Sequence, residues 1–148
     1  MVEYKRKSKL GDAADALKLI SDGMYVALGG HVFFNKPSYM VREIVKKGVK
    51  DLTISGSPYA SYEFDLLIGA RLVKKVIAGN CGFEYLGFAP NFRKAATDGS
   101  VEVVIGDEAT ICGGYMATVE GIPYHPIVSI KGSDVAKYTT LAKEYTGP

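Results

Sequence analysis

Residues 22–37 read DGMYVALGGHVFFNKP. An acidic turn at Asp22-Gly23 leads into the apolar stretch Tyr25 to Leu28, then the pair Gly29-Gly30, then Pro37 at a helix start. Without Cβ atoms, Gly29 and Gly30 let a ligand approach backbone N–H groups, and Pro37 suits a first helical turn, where an N–H has no intrahelical partner. The stretch therefore predicts a strand, a glycine turn with room for a small acyl or phosphate group, and a helix.

The same alternation continues on both sides. Upstream, Asp12 is placed to cap a helix through Ile20, with Ala13, Ala16, Leu17 and Ile20 at helical spacing. Downstream, Met40, Val41, Ile44 and Val45 form the apolar stripe of a helix from Pro37 to Lys47, stopped by Gly48. A second strand is read from Leu52 to Ser55, ending at Gly56-Ser57-Pro58, then a short helix from Asp65 to Leu72 and a strand from Lys74 to Ala78. Pro90 to Thr97 reads as a helix ended by Gly99, Val101 to Ile105 as an apolar strand, and Glu108 to Val119 as a helix. The residues from Ser133 onward read as a helix or a peripheral arm.

Parallel strands need long crossovers and bury both faces, so this order predicts an α/β fold: an open, mostly parallel sheet with helices on both faces. Ligands in such sheets bind beyond the carboxyl ends of the strands. Gly29-Gly30, Gly56 and Gly79 to Gly82 are all expected at that edge, and the last strand is expected to leave an exposed edge suited to pairing with another chain. No G-x-G-x-x-G follows the first strand, which argues against dinucleotide binding.

The 148 residues suit one domain that buries about two-thirds of its unfolded surface. A formal charge of +2, from 18 basic and 16 acidic residues, gives no basis for nucleic-acid binding. The dense basic run Lys5, Arg6, Lys7 and Lys9 reads as a solvated tail. Cys81 and Cys112 lack CxxC or histidine spacing, so neither a disulfide framework nor a zinc site is expected, and a reducing, cytoplasmic setting is the simpler reading. No apolar run approaches the roughly 20 residues that span a bilayer, so no membrane association is expected.

The opening motif also resembles the signature of family I coenzyme A transferase alpha subunits: Asp/Asn-Gly, two free positions, three apolar residues, Gly-Gly-Phe, then Gly-x-Pro. Asp22, Gly23, Val26 to Leu28, Gly29, Gly30 and Pro37 fit, with His31 in place of the Phe and Asn35 in place of the later Gly. KGVKDLTISG (47–56), DLLIGARLVKKVI (65–77), GFEYLGFAPNFRKA (82–95) and EGIPYHP (120–126) follow in the family's order. The branch it looks most like is the glutaconate CoA-transferase alpha subunit, where a pair like Lys36-Pro37 and a DLT like Asp51 to Thr53 also occur. The resemblance implies a single alpha-type domain over 1–148, corresponding to the amino-terminal part of the family's full-length subunit.

It also implies coenzyme A as substrate with no tightly bound cofactor, an acyl-CoA and a small carboxylic acid as reactants, and a beta subunit in a hetero-oligomer. The family's chemistry uses a glutamate that attacks the thioester, and that residue usually belongs to the beta subunit. This chain lacks the Ser-Glu-Asn-Gly motif of beta subunits, so the attacking glutamate is expected from the partner. The alternatives are an acyl-CoA hydrolase or ring-opening enzyme on the same scaffold, or a non-catalytic assembly module.

Within the chain, Glu84 is the first reserve acid, since it lies in a glycine-rich loop among apolar neighbours; its other reading is a cap for the helix at Pro90 or a partner of Arg93. Glu108 is the second, because related hydrolytic enzymes carry an acid in the alpha chain, although a helix N-terminus alone explains a carboxylate there. Gly29, Gly30, His31, Asn35, Lys36, Gly82 and Phe83 are the expected substrate- and CoA-binding residues. Lys36 is read as attracting a substrate carboxylate or CoA phosphate, or else as a solvated surface lysine, and Asn35 as an alternative helix cap. His31 is expected to pack against ligand or partner and His125 to be structural; neither has metal-ligand spacing, so no metal is expected. Phe33, Phe34, Phe83, Tyr85, Phe88 and Phe92 make the two glycine-bearing loops aromatic, as a pocket or subunit interface would be.

Overall fold

The computed structural model describes residues 8, 10–56 and 59–146. The basic run Lys5 to Lys7 and Lys9, the pair Ser57-Pro58 read as following the second strand, and Gly147-Pro148 lie outside the described residues. Strands β1 (Tyr25–Leu28), β2 (Leu52–Gly56), β3 (Val73–Ala78) and β4 (Glu102–Ile105) form one parallel sheet in the order β1-β2-β3-β4. The helices are α1 (Ala13–Lys18), α2 (Ser38–Lys47), α3 (Tyr62–Gly69), α4 (Pro90–Asp98), α5 (Glu108–Glu120) and α6 (Val135–Tyr138), with a short 3₁₀ turn at Glu84–Leu86.

Each crossover moves the chain one strand further in the same direction. Right-handed crossovers then put all their helices on one face. Val41 and Ile44 of α2, Phe64, Leu67 and Ile68 of α3, and Ala95 of α4 accordingly share one core with Leu28, Leu52, Ile54, Val76 and Ala78 of the strands. Phe64 is completely buried. α1 joins this layer through Lys47, whose ammonium donates to the carbonyls of Leu17 (2.6 Å) and Ile20 (2.5 Å) just where α1 runs out of internal donors.

The opposite face is covered by α5. Tyr115 of α5 reaches Ser55 of β2 at 2.6 Å, and Tyr25 of β1 donates to the same hydroxyl at 2.6 Å. Burial pushes the Tyr115 phenol pKa up. Lys75 of β3 and Glu102 of β4 pair on this face at 2.8 Å. The arm after α5 returns across it: a Cβ on Gly113 would stand 3.0 Å from Ile127, and one on Gly106 3.1 Å from Leu141. Helices thus lie on both faces, three crossovers on one and α5 on the other. Among the described residues β1 and β4 each pair on one side only, so the expected open edge is present at β4 and also at β1.

Several boundaries differ from expectation. α1 ends at Lys18 rather than Ile20, with Leu19 as its C-cap. α3 begins at Tyr62 and ends at Gly69, about one turn earlier than the expected Asp65 to Leu72. The reason is that Arg71 sits at φ +59°, which breaks the helix before Leu72. Val101 to Ile105 is not continuously apolar, since Glu102 faces solvent and Lys75.

α5 is capped by Asp107, whose side chain accepts from the Thr110 N–H at 2.7 Å and also bonds the Thr110 hydroxyl. Burial pushes the Asp107 carboxyl up, but hydrogen bonds from Thr110 and Ser129 outweigh it and leave the pKa below the ordinary range. A depressed folded-state pKa contributes stability that is complete above the unfolded value of about 3.9 and is lost as pH falls through the folded one. Asp107→Ala is expected to lower stability at pH 7 by about 1 kcal/mol, with the deficit shrinking below about pH 4; thermal melts of both proteins at pH 7 and pH 3 check it.

Candidate functional site

The last rung of the sheet aligns Leu28, Gly56, Ala78 and Ile105. Every strand–helix loop therefore leaves from one edge, the carboxyl edge at which α/β proteins bind ligands. The predicted glycine loops emerge there together.

The first loop, 29–37, is tightly wound. His31 and Phe34 exchange backbone hydrogen bonds of 2.9 and 2.7 Å. Gly30 has φ +93°, and a Cβ on it would stand 2.7 Å from the carbonyl oxygens of Phe34 and Asn35, so only glycine fits. Gly29, by contrast, faces open space. Val32 (φ +47°) and Asn35 (φ +54°) are also left-handed. A β-branched residue there is a genuine outlier, strained by on the order of 1–3 kcal/mol. Val32 holds the strained conformation with its side chain 5% exposed.

The second and third loops are stitched together. The Ala60 N–H donates to the Asn80 carbonyl at 3.1 Å, and the Gly82 N–H donates to the Ala60 carbonyl at 3.1 Å. The Tyr59 ring meets His31 edge-on at 6.4 Å, and Phe33 packs against Phe83 at 6.2 Å. Gly82 is buried and bridged to Phe88, so that Glu84–Leu86 forms the tip of a projecting loop. Tyr85, Leu86, Phe88 and Phe34 are all largely exposed. Glu84 itself is exposed, at φ +51°. Glu108 is exposed at the start of α5, and its backbone nitrogen would stand 2.8 Å from a Cβ on Gly79.

Of the expected residues, Gly29, Gly30, His31 and Phe83 thus gather at one edge with Glu84, Gly82 lying buried beneath it and Glu108 at the end of the next loop. Three expectations change. Asn35 does not cap α2; Pro37 occupies the N-cap position, and no side chain among the described residues bonds there. Glu84 neither caps α4 nor pairs with Arg93, whose guanidinium lies over the Phe88 ring at 5.2 Å. The N–H groups at the start of α4 are instead served by Asp65, which accepts from Phe92 N–H at 2.9 Å and from the Asn91 side chain at 2.8 Å.

The third correction concerns Lys36. Its side chain is 2% exposed and its ammonium lies 2.6 Å from Glu63 Oε1, whose side chain is fully buried. It also donates to the carbonyls of Tyr59 (2.8 Å) and Gly30 (3.2 Å). Lys36 is therefore not a solvated surface cation but one member of a buried ion pair. The Ser61 N–H donates to the same Glu63 oxygen at 3.2 Å, while Glu63 Oε2 and Ser61 Oγ have no partner among the described residues. Nearby Cys81 is buried, and burial followed by the Asp65 and Glu63 carboxylates pushes its thiol pKa far up. Glu63 and Asp65 escaped the sequence reading, although two acids inside the apolar run YASYEFDLLIG (59–69) were a usable signal, because buried carboxylates require partners.

His125 lies beside Glu120 at 3.4 Å, away from this edge. Among the described residues no group of three His, Cys, Asp or Glu side chains is placed to hold a metal ion. No helix among them is long and apolar enough to cross a membrane.

A one-way parallel sheet with helices on both faces and loops gathered at a glycine-bearing carboxyl edge defines an α/β protein. Residues 11–147 match the family model of coenzyme A transferase, and the chain belongs to that family. It is 32% identical over 125 residues to the cholesterol ring-cleaving hydrolase IpdA subunit of Rhodococcus jostii, covering 84% of this chain and 42% of the relative. It is 31% identical over 141 residues to the glutaconate CoA-transferase A-subunit of Acidaminococcus fermentans, covering 93% and 43%. The crystal structure of glutaconate coenzyme A-transferase from that organism matches with a TM-score of 0.81 at 30% identity, over 88% of this chain and 41% of that one. The chain is thus family I alpha-subunit-like and spans less than half the length of these relatives.

Two outcomes test the geometry. Gly30→Ala is expected to destabilise the chain by at least about 1 kcal/mol, since it combines an unfavourable φ with backbone collision; chemical denaturation against the parent measures it. Cys81 is expected to resist iodoacetamide at pH 8 in the folded chain and to react once the chain is unfolded in guanidinium, read by peptide mass spectrometry.

Proposed function

We propose that the chain is an alpha-type subunit that moves CoA between an acyl-CoA thioester and a carboxylic acid, with the attacking glutamate supplied by a beta-type partner. The observation that carries this reading is the carboxyl edge itself. Gly29 opens onto free space at a strand end, while Phe34, Tyr85, Leu86 and Phe88 project from the adjoining loops without cover. Exposed aromatic groups of this size around a binding edge suit a subunit interface that closes over substrate.

In the proposed reaction the partner's carboxylate attacks the thioester carbonyl and CoA thiolate leaves, giving an acyl anhydride. The thiolate then attacks the glutamyl carbonyl, releasing the first acid and leaving a glutamyl-CoA thioester; the acceptor acid reverses the sequence. Gly29, Gly30, His31, Gly82 and Phe83 line the thioester side in this reading. Asn35 stands at the rim of the same loop, and Lys36 acts from beneath it. Coenzyme A enters as substrate.

A second reading, hydrolysis or ring opening of an acyl-CoA, is favoured by Glu84. It is a carboxylate at the tip of an exposed loop in a left-handed conformation, and strain of this kind concentrates at functional positions. One relative is by name a ring-cleaving hydrolase subunit. Assays of acyl transfer and of thioester hydrolysis, on the chain alone and mixed with a beta-type chain bearing Ser-Glu-Asn-Gly, separate the readings. Transfer only in the mixture, with Glu84→Gln retaining turnover within about threefold, is expected. Hydrolysis lost by at least about 100-fold in Glu84→Gln would instead assign Glu84 as general base or nucleophile.

A further inference from the structure

We propose that Lys36 is a positioning residue that sets the conformation of the Gly29-Gly30 edge and makes no contact with substrate. The proposal deepens the acyl-transfer reading and rests on it only in the kinetic part of its test.

A lysine ammonium has three donors and no acceptor. Here all three are committed, to the Gly30 carbonyl, the Tyr59 carbonyl and Glu63 Oε1. These acceptors come from three separate segments: the first loop, the second loop, and the first turn of α3. Lys36 therefore ties together the pieces of backbone that define the site, from the side opposite to solvent. No donor is left for a ligand.

The energetics point the same way. A buried ion pair is a weak source of net stability, and apolar replacement of both partners is often neutral or favourable. This pair is further burdened by Glu63 Oε2, which is buried without a partner among the described residues. What it supplies is geometry. The first loop contains left-handed backbone at Gly30, Val32 and Asn35, and left-handed backbone at the two non-glycine positions persists only where surroundings over-determine it. Lys36 bonds the Gly30 carbonyl within that strained segment and anchors it to Tyr59, whose ring in turn packs edge-on against His31.

The test replaces both charges at nearly constant volume, in Lys36→Met/Glu63→Gln, so that no uncompensated buried charge remains. Backbone amide hydrogen exchange is followed in the full chain by mass spectrometry. Exchange is expected to quicken by about tenfold or more in peptides covering 29–36 and 59–61, and to stay within about twofold in β3 and α4. In the active complex kcat is expected to fall by about 10- to 100-fold with KM for acyl-CoA changed by less than about threefold, as misplacement of a reacting geometry gives. Unchanged exchange in 29–36, or a uniform rise across the sheet, overturns the proposal, and so does a KM effect without a kcat effect. If the double variant does not fold, Lys36→Arg keeps the charge but replaces the compact ammonium with a planar fork, and the same regional pattern of exchange decides. A parent complex without acyl transfer would sink the transferase reading, while the exchange data would still judge Lys36.

Discussion

The constraint on which the rest of the structure depends is the direction of winding. A parallel sheet laid down in the order β1-β2-β3-β4 sends every strand out at the same edge. Right-handed crossovers then commit α2, α3 and α4 to one face. The core forms between those helices and the sheet, and the edge loops reach into it only through small or single side chains such as Ala60, Cys81 and Ala89. The loops are thereby available to build a surface, and make contacts with one another: His31 with Tyr59, Phe33 with Phe83, Ala60 with Asn80 and Gly82.

Beneath that surface the protein concentrates polar groups at its most buried positions. Glu63, Asp65, Ser61 and Lys36 lie within the layer that elsewhere holds Phe64 and Leu67. Their partners are mostly main-chain groups of neighbouring loops, so each carboxylate fixes a backbone segment. Asp65 takes the start of α4, and Glu63 takes Lys36 and the start of α3. Burial, and after it the nearby carboxylates of Asp65 and Glu63, also disarms Cys81 by disfavouring its thiolate. The loop surface at the carboxyl edge and the structural groups below it are thus close neighbours.

The sequence was most legible where local chemistry decides. β1 has the bounds its apolar run predicts, α4 begins at Pro90, α5 begins at Glu108, and Gly48 and Gly99 end their helices in left-handed conformations. The gathering of the glycine loops at one edge followed from strand–helix alternation alone. Lys36 was illegible for a physical reason: its partner is 27 residues away, and beside Pro37 a lysine looks the same whether it meets water or a buried carboxylate. α3 starts at Tyr62 rather than the expected Asp65, and in the fold both its acids, Glu63 and Asp65, point inward to partners on other elements. The cap of α4 was sought among loop residues, while Asp65 lies 26 residues from Asn91.

A sheet wound in one direction, with β1 and β4 each paired on one side only among the described residues, can be lengthened without disturbing what already works. Because α5 crosses to the face opposite α2, α3 and α4, a parallel strand following it by a right-handed crossover would join the sheet on the β1 side rather than beyond β4, and its loop would still leave from the same edge. A relative of more than twice the length shares the arrangement seen here with a TM-score of 0.81. Size in such an architecture is a matter of accretion at the sheet margins, which leaves the packing of the existing loops undisturbed.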